Sequence, residues 1–275
     1  MYLNADVHSN CEHAATRRND ASFSSTGVLL EQGVIRVPTD PLLHYVGDLA
    51  AWLAAFVGAR WVYRHRRTNV DAFSRQTAPS YFICLAAGAA IGAWLLGSFN
   101  TLRDAHPALS HSIAGALVGA IVAVELWKLV HGVRDSTGGV FVIPLCIGVV
   151  VGRWGCLFAG LADQTCGVPT NLPWGVDLGD GIGRHPVEIY ESISMAIFVA
   201  IYWRALVDQG KWATRHGFHA FVLAYAVQRF AWEFLKPYPR LIGPFNVFHF
   251  VMIGLAIYAL AWIGRGRASS LGAGT

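Results

Sequence analysis

Arg153 and Arg229 raise the first chemical question, because each stands among apolar residues. Arg153 separates two apolar runs, 140–151 and 154–161, so its guanidinium begins in the middle of a membrane-length segment. An ionised group at that depth costs on the order of 3 kcal/mol on insertion scales, and it is normally turned toward a bundle interior or wet cavity that holds a partner. Arg229 follows Tyr225 and precedes Glu233 at i, i+4 spacing, which makes one polar stripe on an apolar helix. Arg184 and His185 come just before Pro186, a good first-turn residue, so they mark a helix start where unpaired amides and the dipole attract anions. Glu188 and Glu191 share a face with His185, with Tyr190 beside them, and Cys156 adds a thiol one turn after Arg153. Arginine grips a phosphate at two points and keeps its charge. In a low-dielectric pocket such cations also stabilise a phosphate leaving group without rearrangement. The chemistry implied is recognition of an anionic lipid headgroup, a phosphodiester fitting best. The bland alternative for the stripe is a structural Arg229–Glu233 ion pair.

The elements that must position these groups are membrane helices. The chain has 275 residues, 54% hydrophobic and 14% charged, with a mean hydropathy of +0.42, too apolar for an ordinary soluble domain. Apolar stretches near 44–63, 81–99, 111–130, 140–161, 187–206, 218–235 and 245–263 are each long enough to cross a hydrocarbon core of roughly 30 Å as a helix. The expected fold is an all-α, seven-helix polytopic membrane protein, since no barrel pattern is present. Its parts are a disordered tail over 1–43, a membrane domain over 44–264 with an outer loop at 162–185, and a disordered tail over 265–275.

Cations set the orientation. Arg64, Arg66, Arg67 and Arg75 follow the first stretch, Lys128 and Arg134 the third, Arg204, Lys211 and Arg215 the fifth, and Arg265 and Arg267 the last. Loops of that kind stay cytoplasmic, which puts the N-terminus outside and the C-terminus inside. The net charge of +4 follows from this topology and needs no nucleic-acid partner. The segment 64–75 reads as a basic collar for anionic headgroups.

Gly88 and Gly92, Gly115 and Gly119, and Gly148 and Gly152 are pairs four apart, which predicts seams where helices approach backbone to backbone. Glu125 lies three residues before Lys128, within reach of a helix-face pair. The loop after the fourth stretch is too long for a tight connection, and its Pro173 and Trp174 predict an ordered lid over the headgroup layer. Asn246 and His249 read as interface polar groups. The cysteines, Cys11, Cys84, Cys146, Cys156 and Cys166, have no zinc-like spacing, so neither a metal nor another cofactor is expected. Cys156 and Cys166 fall toward the outer side, where a disulfide could persist; a packed thiol and a separate loop thiol is the other reading.

Taken in order, GRWGCLFAG at 152–160, PWGVDLGDG at 173–181, RHPVEIYE at 184–191 and Tyr225 with Arg229 resemble the bacterial prolipoprotein diacylglyceryl transferases, from the third apolar stretch to the seventh. The resemblance implies a multi-pass inner-membrane enzyme. It would move a diacylglyceryl group from phosphatidylglycerol to the lipobox cysteine of a prolipoprotein signal peptide, releasing glycerol 1-phosphate. On that likeness the catalytic set is Arg229, Tyr225, His185 and Glu191, and the lipid-binding set is Arg153, Arg184, Cys156 and Tyr190. Arg153 would hold the phosphate, and Arg184, His185, Tyr190 and Glu191 would shape the outer rim.

Three positions depart from the family pattern. Cys156 replaces an asparagine, Ala114 replaces a histidine proposed as the base, and Leu161 stands where an acid is expected, with Asp163 nearby. His111, almost a turn before Ala114, is a substitute base if the helix phase shifts. The competing readings are a divergent paralogue acting on another nucleophile and a non-enzymatic phospholipid-binding or transport protein. A proton acceptor near Arg153 and Arg229 separates an enzyme from a carrier.

Overall fold

A computed structural model describes residues 35–101, 111–163 and 165–271. In chain order the elements are β1 (Ile35–Arg36), α1 (Leu42–His65), α2 (Arg67–Gln76), α3 (Pro79–Thr101), α4 (Ile113–His131), α5 (Val142–Ala159), β2 (Val176–Asp177), β3 (Gly183–Arg184), α6 (Val187–Val207), α7 (Lys211–Glu233) and α8 (Val247–Leu271). Single 3-10 turns, Gly138–Phe141 and Gly160–Asp163, flank α5. Among the described residues six segments are long and apolar enough to cross a membrane: α1, α3, α4, α5 with its leading turn, α6 and α8. The remaining expected span, α7, has the length but carries Lys211, Arg215, Arg229 and Glu233.

The helices pack as a chain of pairs. α1 lies on α5, α3 on α4, α5 on α6, α6 on α7 and α7 on α8, while α4 reaches the rest through α8. Large apolar side chains such as Trp52, Phe56, Ile83 and Leu95 are exposed on the outer faces of α1 and α3. A lipid-facing surface has this character, because hydrocarbon does not penalise it.

Close approach happens where the glycines allow it. A Cβ on Gly92 would lie 2.8 Å from the Cα of Gly119, and one on Gly115 would meet Leu96 Cβ at 2.8 Å, so the α3–α4 seam is as expected. The α1–α5 seam differs. Gly148 and Gly152 face Ala55 and Ala51 at ordinary distances of 3.7 and 3.5 Å, and the backbone contact is instead between Gly47 and Gly155.

Several other expectations change. The class is all-α except for a three-stranded sheet in which β1 pairs parallel with β2, and β2 antiparallel with β3. Residues 35–41, expected in the disordered tail, thereby dock on the outer loop; residues 1–34 lie outside the described set. The basic collar is largely helical as α2, and Arg66 donates from Nη2 to the Leu206 carbonyl at the end of α6 (2.5 Å). α8 continues to Leu271 instead of ending near 264. Ser112 caps α4 by accepting from the Gly115 amide at 3.2 Å. His111, just before it, is exposed and edge-on to Trp94.

Candidate active site

The site grows from the C-terminal half of α5, the first turns of α6 and the C-terminal half of α7, which meet because α6 packs on both neighbours. Glu191 is its centre and is fully buried. Arg153 Nε of α5 lies 2.5 Å from Glu191 Oε2, Arg229 Nη1 of α7 bonds Glu191 Oε1, and Lys236 Nζ reaches the same oxygen at 3.0 Å. Glu233 Oε2 lies 3.1 Å from Arg229 Nε as an ion pair, and Glu233 Oε1 accepts from Asn246 Nδ2 at 2.9 Å. The Arg229–Glu233 pair read from the stripe is therefore present, but as one edge of a larger network.

Asn246 and His249 are not interface groups. Both are fully buried, and the His249 amide donates to Asn246 Oδ1 at 3.2 Å, so the start of α8 holds the amide that orients Glu233. Lys236, which the sequence reading left out of the site, follows α7 by one turn and is buried beside Glu191. Burial and the nearby Arg229 guanidinium pull its pKa below the ordinary lysine range. The Tyr225 hydroxyl is buried among these charges without a hydrogen-bond partner. An orphaned hydroxyl of that kind is rare in native structures and usually has a functional reason.

Next to this cluster runs a line of proton-holding groups. Thr165 Oγ1 lies 2.6 Å from Asp163 Oδ2 and 3.0 Å from Glu188 Oε1. A threonine hydroxyl has one proton to donate and lone pairs that accept, so it can link the two carboxylates in a proton path. Asp163 Oδ1 is 3.2 Å from His44 Nδ1, and His44 Nε2 is 3.4 Å from Asp48, which is exposed. Cys156 Sγ lies 3.9 Å from Arg153 Nη1. His44, Cys156 and Asp163 place ligand atoms within 4.8 Å of one another, the geometry of a metal-capable trio that no spacing rule could find across 44, 156 and 163. Cys156 is a free thiol and Cys166 is disulfide-bonded, so the two do not pair with each other.

The remaining sequence-predicted residues occupy the outer loop. Arg184 is fully buried, not on an open rim: its Nη1 and Nη2 fork onto Asp180 at 2.6 Å each, and Nη1 also reaches the Ile182 carbonyl. It closes the hairpin of β2 and β3. Tyr190 accepts from Trp174 Nε1 at 2.8 Å and lies 3.4 Å from His185 Nδ1, which ties the loop to the first turns of α6. Burial lowers the His185 pKa, favouring its neutral form. Thus Arg153, Arg229, Tyr225 and Glu191 come together, while Arg184, His185 and Tyr190 form the ordered cover.

Apolar helices of the bundle thus bring two buried arginines onto one buried carboxylate. The chain belongs to the prolipoprotein diacylglyceryl transferase family, whose sequence model matches residues 26–264. Similar proteins include the phosphatidylglycerol–prolipoprotein diacylglyceryl transferases of Trichormus variabilis, 27% identical over 55% of this chain and 59% of the relative, and of Wolinella succinogenes, 29% identical over 62% and 68%. That of Thermosynechococcus vestitus is 26% identical over 88% of this chain and 92% of its own length. The match to the Trichormus protein thus spans less than two thirds of that relative. No solved structure matches the chain.

Proposed function

We propose that this chain transfers the diacylglyceryl group of phosphatidylglycerol to the lipobox cysteine thiol of prolipoproteins, in the bacterial inner membrane. α7 serves as the seventh span, with Arg229 and Glu233 hidden in the bundle and Lys211 and Arg215 exposed at its opposite end, the N-terminus lying outside and the C-terminus inside. The observation that carries this reading is the convergence of Arg153 and Arg229, from different helices, on buried Glu191 beside the unpartnered Tyr225 hydroxyl.

In the reaction the thiol gives up its proton and the sulfur attacks the glyceryl carbon esterified to phosphate. The S–C bond forms as the C–O bond breaks, and glycerol 1-phosphate leaves with the electron pair. Arg153 and Arg229 hold the phosphate and offset the charge it gains. Glu191 keeps both guanidinium groups in place, and Tyr225 donates to a phosphate oxygen. Glu188 takes the thiol proton and passes it through Thr165 to Asp163 and His44, and so toward exposed Asp48. This route does without the histidine missing at Ala114, and leaves His111, exposed against Trp94, no part in the chemistry.

The test is transfer of labelled lipid from phosphatidylglycerol to a lipobox peptide by the purified chain. Arg229→Lys should lower kcat about 10²–10³-fold. Thr165→Val should lower kcat on the order of 10²-fold with the lipid KM unchanged. Wild-type rates in Arg153→Ala or Arg229→Lys would overturn the site. The replacements at Ala114 and Cys156 favour a second reading, a paralogue with another acceptor. Complementation of a strain lacking its own transferase separates the two, since failure at good expression favours the paralogue.

A further inference from the structure

The end of the bundle opposite Glu191 carries a second charged hollow. A cavity of about 510 Å³ opens where the C-terminal turn of α4, the start of α7 and the end of α8 meet. Arg215 of this hollow and Arg229 of the candidate active site are separated along α7 by about 21 Å, so the two are distinct places.

Cations outnumber acids in its wall: Lys128, Arg134, Arg215 and Arg265 stand against Glu125 and Asp135. The acids are already engaged. Glu125 accepts Lys128 Nζ at 3.1 and 3.2 Å and the Tyr258 hydroxyl at 2.8 Å, and Asp135 takes a long contact of 3.5 Å from Gln76. His219 is the second observation. It is buried to 2% exposure, lines the cavity, and has neither ring nitrogen hydrogen-bonded. Its ring is stacked on Trp262 with centroids 4.9 Å apart, and Lys128 Nζ lies 4.5 Å from the centroid of the same indole. That packing fixes the imidazole plane. Neighbouring His216 lines both this cavity and an adjoining one of about 290 Å³ that also contains Lys211.

We propose that this hollow binds a phosphate group, either the headgroup of an anionic phospholipid or a free phosphate. Arginine forks suit phosphate oxygens, a neutral imidazole always has one N–H to give, and a cavity of some hundreds of Å³ is the usual size for a small ligand. On the cytoplasmic side, where the basic loops would place it, anionic headgroups are at hand.

The experiment uses the full chain in neutral detergent with 15N-labelled histidine rings. The ring signal lost in His219→Phe identifies His219, and its shift is followed as inorganic phosphate, or separately short-chain phosphatidylglycerol, is added. Saturable shift with inorganic phosphate assigns the site to phosphate itself; shift with the lipid alone assigns it to a headgroup. Arg134→Ala combined with Arg215→Ala, both at exposed positions, should weaken the half-saturation point at least about tenfold. A His219 signal that neither probe moves, or that moves equally when both arginines are gone, overturns the proposal. Transfer activity is not the readout, so the result stands apart from the fate of the Glu191 site.

Discussion

The α3–α4 pair and the α5–α6–α7 group are both buried helix contacts, and they are built on opposite principles. Between α3 and α4 the side chains are removed: Gly88 and Gly92 face Gly115 and Gly119, and a Cβ on any of them would strike the other helix. Between α5, α6 and α7 the side chains are large and charged, and Glu191, Arg153, Arg229, Glu233 and Lys236 are all buried. The first arrangement gains dispersion and close backbone contact, which is what drives helix association in lipid. The second carries a desolvation cost that mutual attraction offsets only when every partner is in place, so stability alone is a poor reason to keep it. One interface holds the protein together, and the other is where the proposed chemistry would act on an anion.

The largest effect should come from Glu191→Gln. It removes the carboxylate shared by Arg153, Arg229 and Lys236 at almost constant shape, leaving cations facing one another. Thermal unfolding in detergent should show a loss of about 3–5 kcal/mol, and transfer should vanish even in the molecules that remain folded. Unchanged stability would mean that the cluster is not held by its shared carboxylate, and the contrast would fail. A smaller, purely structural effect is expected at the other interface. Gly119→Leu forces α3 and α4 apart and should cost about 1–3 kcal/mol, with transfer per folded molecule unchanged. A drop in kcat there would show that the α3–α4 pair also shapes the site.

The glycine-built half was readable from the sequence because its signal is local: residues four apart on one helix face one partner. Six of the long helices among the described residues were also legible, since apolar runs report length directly, whereas α7 has the length of a span but not its apolar character. Spacing pointed to Arg153 and Arg229 as well, because a cation among apolar residues must have a reason. It supplied Glu233, one turn after Arg229, and none of the partners from other elements. Glu191 faces Arg153 from another helix, Lys236 comes from a connection beyond α7, and Asn246 and His249 belong to α8, so their meeting depends on how helices assemble. Arg184 showed the same limit in reverse: its position before Pro186 suggested an open anion site, whereas Asp180, four residues earlier, had already claimed its fork. The line from Glu188 through Thr165 and Asp163 to His44 joins four segments and left no trace in spacing.

The smallest effect separates the cover from both interfaces. Burial opposes ionisation of Asp177, yet the amides of Gly179 and Gly181, each donating to its Oδ1 at 2.9 Å, and the Arg36 guanidinium at 3.3 Å together hold its pKa below the ordinary aspartate range. Gly179 and Gly181 have φ of +108° and +78°, so this turn needs both their backbone freedom and the carboxylate that caps them. A carboxyl with a lowered folded-state pKa contributes stability that is complete above its unfolded value and lost as pH falls through the folded one. The outer hairpin should therefore loosen on the acid side, in the range below about pH 4, and not on the alkaline side. Asp177→Asn should remove that dependence, with less than about 1 kcal/mol lost at neutral pH because Arg36 is exposed. Hydrogen exchange at the amides of Gly179 and Gly181 against pH reads it directly. If exchange in the Asn variant still accelerates with acid as in the parent, the hairpin is held by the Arg184–Asp180 fork instead, and the cover draws its order from the same kind of buried ion pair as the site beneath it.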